Sequence, residues 1–134
     1  MFVQIEHENG ESMSAALVRV SRRPVGAPTR RRALLHWIDW IGCVAAGARA
    51  PVGEILRALP HHPAGTAGPS SLLGPAKDDW HATLLDAAPG NVEEMDDMHR
   101  EAILHPGPVV IPALAGLARQ GLPAATVLDA LVRG

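Results

Sequence analysis

Residues 29–47 read TRRRALLHWIDWIGCVAAG, and the way this stretch folds decides the class of the whole chain. Leu34, Ile38, Ile41 and Ala45 recur at helical spacing, which predicts an apolar stripe along one long helix. Thr29 offers a side-chain oxygen to cap its start, and Gly47 stands where such a helix ends. Strand-like alternation is not sustained here or elsewhere in the chain. The only aromatic residues are Phe2, Trp37, Trp40 and Trp80. Packing therefore relies on Ala, Leu, Val and Ile, a mixture that suits closely approaching helices.

Outward from that helix, the punctuation stays helical. Met13, Leu17 and Val20 share a face, which predicts a first helix near 12–21 before Pro24. Phe2, Val3 and Ile5 leave room for short β-structure at the start. After Pro51, the residues Ile55, Leu56 and Leu59 suggest a short helix. Residues 60–77, PHHPAGTAGPSSLLGPAK, are dense in Gly, Pro and Ser and predict a loop. Asp78 can cap a helix in which Trp80, Leu84 and Ala87 share a face, until Pro89 and Gly90 interrupt it. Val110, Leu114 and Leu117 mark another helix, ending at Gln120-Gly121. Pro123 opens a last one through Val127, Leu128, Leu131 and Val132. With no fixed-period repeat, the expectation is an all-α array, a single helical domain over residues 1–134.

Composition narrows the function classes. A chain of 134 residues can bury roughly two thirds of the surface it exposes when unfolded, so a true core is available. A formal net charge of −2 gives no long-range attraction to phosphate backbones, and no nucleic-acid surface is expected. Arg22, Arg23, Arg30, Arg31 and Arg32 could grip a carboxylate or phosphate, but as a short charge run they read first as a solvated stretch around a helix start. Cys43 is the only cysteine. It excludes an intrachain disulfide and points to a reducing cytoplasm, and Ile41, Val44 and Ala45 around it suggest a small core residue rather than a reactive thiol. The N-terminus carries acids and no continuous apolar run, unlike a secretory signal. The longest apolar stretches are too short and too interrupted to span a membrane, so no membrane partner is expected.

The chemically richest segment is Glu93-Glu94-Met95-Asp96-Asp97-Met98-His99-Arg100, followed by His105-Pro106-Gly107-Pro108. Imidazole exchanges protons near neutral pH, and a carboxylate beside it can orient the ring or act as a base. Proton abstraction next to a carboxyl group would suit this inventory. The plainer reading is an acidic helix facing water, followed by a rigid turn. A third reading makes Asp96, His99 and His105 metal ligands, but their spacing matches no zinc signature and brings no thiolate.

GNVEEMDDMHREAILHPGPVVIPALAGLA resembles the motif region of MmgE/PrpD proteins, in which an acidic segment precedes His-Pro. LLHWIDWIGCVAAGARAP is similar to a helix of that family, the pattern carried here by Asp39, Gly42, Ala46 and Gly47. LARQGLPAATVLDALVRG resembles the helix pair that follows His-Pro. The resemblance covers about residues 13–134, the N-terminal part of a typical member. It implies a lyase or isomerase moving a proton beside a carboxylate of a small polycarboxylate, as in 2-methylcitrate dehydratase, cis-aconitate decarboxylase and iminodisuccinate epimerase, without a cofactor or metal.

Carried over by the resemblance, His105 lines the pocket and Glu94 stands where many members have an active-site Asp. Asp96 and Asp97 match the paired acids, and His99 a position that is often His. Pro106 and Gly107 would contact substrate. So would Met98, although it replaces a common Thr and cannot donate a hydrogen bond. Asp86-Ala87 replaces a usual Asn-Gly, and Glu93 an apolar residue. The family pocket also draws on a Lys and further His from a second domain, whereas Lys77 is the only lysine here. The expected partner is therefore a complementary chain or domain, or a second copy. A non-catalytic helical assembly module and a metal-binding domain are the competing expectations.

Overall fold

The computed structural model describes residues 10–59 and 68–134. Among them are six helices, α1 (Met13–Ser21), α2 (Ala27–Gly47), α3 (Pro51–Ala58), α4 (Asp79–Asn91), α5 (Gly107–Arg119) and α6 (Ala124–Arg133), and a two-stranded antiparallel hairpin, β1 (Ser70–Ser71) and β2 (Gly74–Pro75). The fold is all-α. Short β-structure at Phe2, Val3 and Ile5 lies outside the described residues.

Local chemistry accounts for most of the helix starts. The Ser12 side chain accepts from the Ala15 amide at the head of α1, and Asp78 accepts from the His81 amide at 2.7 Å at the head of α4. Thr29, in contrast, does not cap α2. The helix begins earlier, with Gly26 as its cap and Pro28 in the first turn, where a missing amide hydrogen is harmless. Pro89 does not end α4 either. It sits in the last turn, buried against α2, so the helix loses one internal hydrogen bond there and continues to Asn91.

The loop expected over 60–77 contains the hairpin in its described part. Its turn is closed by the Ser71 hydroxyl, which donates to the Gly74 carbonyl at 2.9 Å and accepts from the Leu73 amide. Gly74 takes a φ of +127°, open to glycine and strained for other residues.

α2 is the spine, 21 residues and about 30 Å long. It packs most extensively on α4, while α4 packs on α5, and α6 lies against α2 and α5. Trp40 and Val44 of α2 meet Ile111 of α5, with Trp37 and Leu131 at the margin. The two indoles stack edge to face, centroids 6.2 Å apart. A second cluster joins Leu56 of α3 to Ala76, Ala82 and Leu85.

The buried face of α2 is thus Ala33, Trp40, Cys43, Val44 and Gly47, not the expected stripe. Leu34, Ile38, Ile41 and Ala45 are exposed. Small residues choose the face: a Cβ on Gly47 would lie 2.0 Å from the Pro89 carbonyl oxygen, and one on Gly90 would lie 2.7 Å from Nε1 of Trp40. Only this face of α2 lets α4 approach so closely. Trp80, expected on the packed face of α4, is 74% exposed, because His81, Ala82, Leu85 and Asp86 take that face. Helix α1 buries none of its residues, so Met13, Leu17 and Val20 form no core contact. None of the described helices is long and apolar enough to cross a membrane.

Cys43 is buried, and burial pushes its thiol above the usual range, as a structural thiol requires. Arg30 of the basic run reaches α6, donating through Nε and Nη2 to both oxygens of Asp129, the latter at 2.9 Å. Arg22, Arg23, Arg31 and Arg32 are exposed.

Candidate functional site

The segment 92–106 is a folded loop, not an acidic helix. Two non-glycine residues in the left-handed region bracket it, Glu94 and Ile103, each with φ of +49°. For a β-branched residue such as Ile103 this backbone is strained. Between them the chain doubles back. The His99 amide donates to the Leu104 carbonyl at 2.8 Å, and Nδ1 of His99 accepts from the Ala102 amide at 3.2 Å. That turn returns the chain so that the paired acids meet the residues just before α5.

Each of the two acids takes a different imidazole. Asp96, its side chain 1% exposed, lies 2.8 Å through Oδ2 from Nδ1 of His105, whose ring is 32% exposed. Such a contact fixes the ring, placing the proton of the neutral form on Nδ1 and leaving Nε2 to accept one. Nε2 has no hydrogen-bond partner among the described residues, and Oδ1 of Asp96 is buried without a partner. Asp97 accepts from the Gly107 amide through Oδ1 at 3.1 Å, and its Oδ2 stands 3.6 Å from Nδ1 of His36 on α2. At that distance the His36 contact is electrostatic rather than a hydrogen bond.

Beside the loop is a groove of about 200 Å³ between α2, α5 and α6. Its wall includes three of the expected site residues, Asp97, Pro106 and Gly107, together with Arg32 and His36. His105, expected to line the cleft, is not part of this wall but stands next to it in sequence, fixed by Asp96. Glu94, Met98 and His99 are exposed and contribute nothing to the groove. The His99 ring accepts from the amide of Ala102 and so braces its own turn. No cluster of three metal-ligating side chains exists among the described residues.

Sequence reasoning named Arg32 only as part of the basic run and missed its neighbour His36. The signal was their separation by one helical turn, which places them on one side of α2. It also missed a second buried carboxylate. Asp86 accepts from the Leu72 amide at 2.7 Å and from Nη1 of Arg119 at 3.1 Å, pinning the hairpin to α4 and α5. Burial outweighs both contacts and holds this carboxyl above the usual carboxylate range.

No curated protein and no solved structure matches the chain. The MmgE/PrpD N-terminal domain matches residues 11–134, a span that includes all six helices and the Asp96–His105 loop. By that match, the chain belongs to the MmgE/PrpD family and represents its N-terminal domain.

Proposed function

We propose that this chain supplies the wall of an active site on which His105, oriented by Asp96, moves a proton beside a carboxylate of a small polycarboxylate. The observation that carries this reading is the Asp96–His105 pair: a buried carboxylate on one ring nitrogen and an unengaged second nitrogen on a partly open ring. In the forward step Nε2 takes a proton from the carbon next to the substrate carboxyl group, leaving its electron pair on that carbon. Delivery of a proton to the opposite face of that carbon by a second acid, from the complementary domain or chain, gives an isomerase. Expelling a group from the neighbouring carbon to form a double bond gives a lyase. Either course needs cations to hold the carboxylates and a cover to exclude water. The family likeness supports a second domain or a complementary chain as their source, in a cytoplasmic enzyme.

Deuterium incorporation tests this reading. The protein, together with its complementary domain, is incubated in D₂O with 2-methylcitrate, cis-aconitate and iminodisuccinate, and exchange is followed by NMR. Exchange into one of them is expected, together with its loss in a folded His105→Ala variant. Undiminished exchange in that variant removes His105 from the chemistry.

A second reading, a non-catalytic assembly module, is favoured by one observation: the exposed row Leu34, Ile38 and Ile41 on α2. Burial of such a row against a second copy or a further domain stabilises an assembly. Light scattering that finds only monomer at high concentration removes self-association.

A further inference from the structure

The contact between Asp97 and His36 is a part of the loop that the proton-transfer reading does not use. His105 is held at two points. Asp96 takes its ring, while Asp97, the next residue, takes the Gly107 amide two residues further along through Oδ1 at 3.1 Å. The second approach is close, since a Cβ on Gly107 would lie 2.2 Å from the same oxygen. Gly107 opens α5, so this carboxylate also stands at the positive end of that helix. Its other oxygen, Oδ2, lies 3.6 Å from Nδ1 of His36. Through one carboxylate, α2 therefore reaches the turn that carries His105.

The surroundings of His36 make that link depend on charge. On its own helix Arg32 stands one turn before it and Asp39 one turn after. From the loop it meets Asp97. To the same groove α5 and α6 bring Val110, Ile111, Leu131 and Val132, none of which titrates, and Gly134 also lines it. A protonated imidazole attracts the carboxylate that faces it, whereas a neutral one holds it only weakly. With side chains 38% and 28% exposed, the pair is partly solvated and its effect is modest.

We infer that His36 is a positioning residue for His105: when protonated, it holds the Asp97 carboxylate against the Gly107 amide and so fixes the turn on which His105 stands. The catalytic consequence rests on the reading above. The link itself does not, because it is measurable without turnover.

NMR titration of the protein between about pH 5 and 8, the range in which imidazole changes charge, tests the link. The Gly107 amide signal is expected to show a step whose midpoint equals that of the His36 ring protons. That step should vanish in His36→Gln and in Asp97→Asn, both checked for folding by circular dichroism. A further step from the His105 ring is recognised by its loss in His105→Gln. A chain extended beyond Gly134, which has no carboxylate at that position, should keep the His36 step. In deuterium exchange with the complementary domain, His36→Gln should slow the reaction about two- to fivefold on the acid side of the midpoint and not on the alkaline side. No Gly107 step at the His36 midpoint, a step retained in His36→Gln, a step lost in the extended chain, or equal slowing on both sides would each overturn the inference. Absence of exchange in every protein, with the Gly107 step intact, counts instead against the proton-transfer reading.

Discussion

Asp86 and Asp96 are both buried carboxylates, and the contrast between their surroundings separates what holds this fold together from what it offers to a ligand. Around Asp86 the carboxylate's own accounting is closed, although its guanidinium partner keeps Nε and Nη2 buried without partners: one oxygen takes the Leu72 amide, the other Nη1 of Arg119, whose side chain is only 21% exposed. Around Asp96 it is open. One oxygen holds His105, the other has no partner, and the second nitrogen of the partly exposed ring is unengaged among the described residues. A carboxylate engaged at both oxygens fixes geometry, whereas a half-engaged one can keep a proton-carrying group in place without consuming it.

The sharpest way to break this contrast is Asp86→Ala. It frees the hairpin and leaves the Arg119 guanidinium, two of whose nitrogens already lack partners, without its counter-ion. Removing one member of a buried pair should cost about 3 kcal/mol, read as a fall in the urea midpoint at constant slope. A loss below about 1 kcal/mol would place Asp86 with the weak surface pairs.

Asp96→Asn should be milder for the fold and severe for the chemistry. The amide keeps the size of the side chain and loses the charge-assisted contact, a cost of roughly 1–2 kcal/mol. Under the proposed function, loss of ring orientation should slow proton exchange by about 100-fold or more. If Asp96→Asn unfolds as readily as Asp86→Ala, both sites are structural.

How much of this was legible in sequence differs between scaffold and site. The cap at Asp78, the breaks at Pro51 and Pro123 and the burial of Cys43 follow from local chemistry and are where the sequence puts them. The packed face of α2 does not, because apolar residues lie on more than one side of it: Leu34, Leu35, Ile38 and Ile41 outside, Trp40 and Val44 inside. Periodicity cannot choose between two apolar faces. The choice was made by Gly47 and by Gly90 across from it, through a contact between residues far apart in the chain. The same distance hid His36, whose partner Asp97 belongs to another element, whereas Asp96 and His105 share one loop and so stood out together.

A smaller effect extends the comparison to the neighbouring acid. In Gly107→Ala the new Cβ would fall 2.2 Å from Oδ1 of Asp97, so the carboxylate must swing aside and give up the Gly107 amide. The expected loss is about 1 kcal/mol, with a shift of the His36 ring signals in NMR as its counter-charge moves. Unmoved His36 signals would mean that Asp97 does not steer that ring.

The smallest effect is one of slope. Asp86 keeps its proton to a higher pH when folded than when unfolded, because burial raises it above its ordinary 3.8. Between those two values the folded state binds more protons, so this group's contribution to stability is greatest below 3.8 and declines as pH rises through the folded value. Asp129 behaves oppositely. Arg30 holds it below 3.8, so its contribution is present above that pH and is lost as pH falls through the folded value. Urea midpoints measured across the acid range should therefore show Asp86→Asn removing a loss on the rising side and Asp129→Asn removing a loss on the falling side. If Asp86→Asn leaves the profile unchanged, the carboxylate is as well solvated as a surface acid and the contrast with Asp96 disappears.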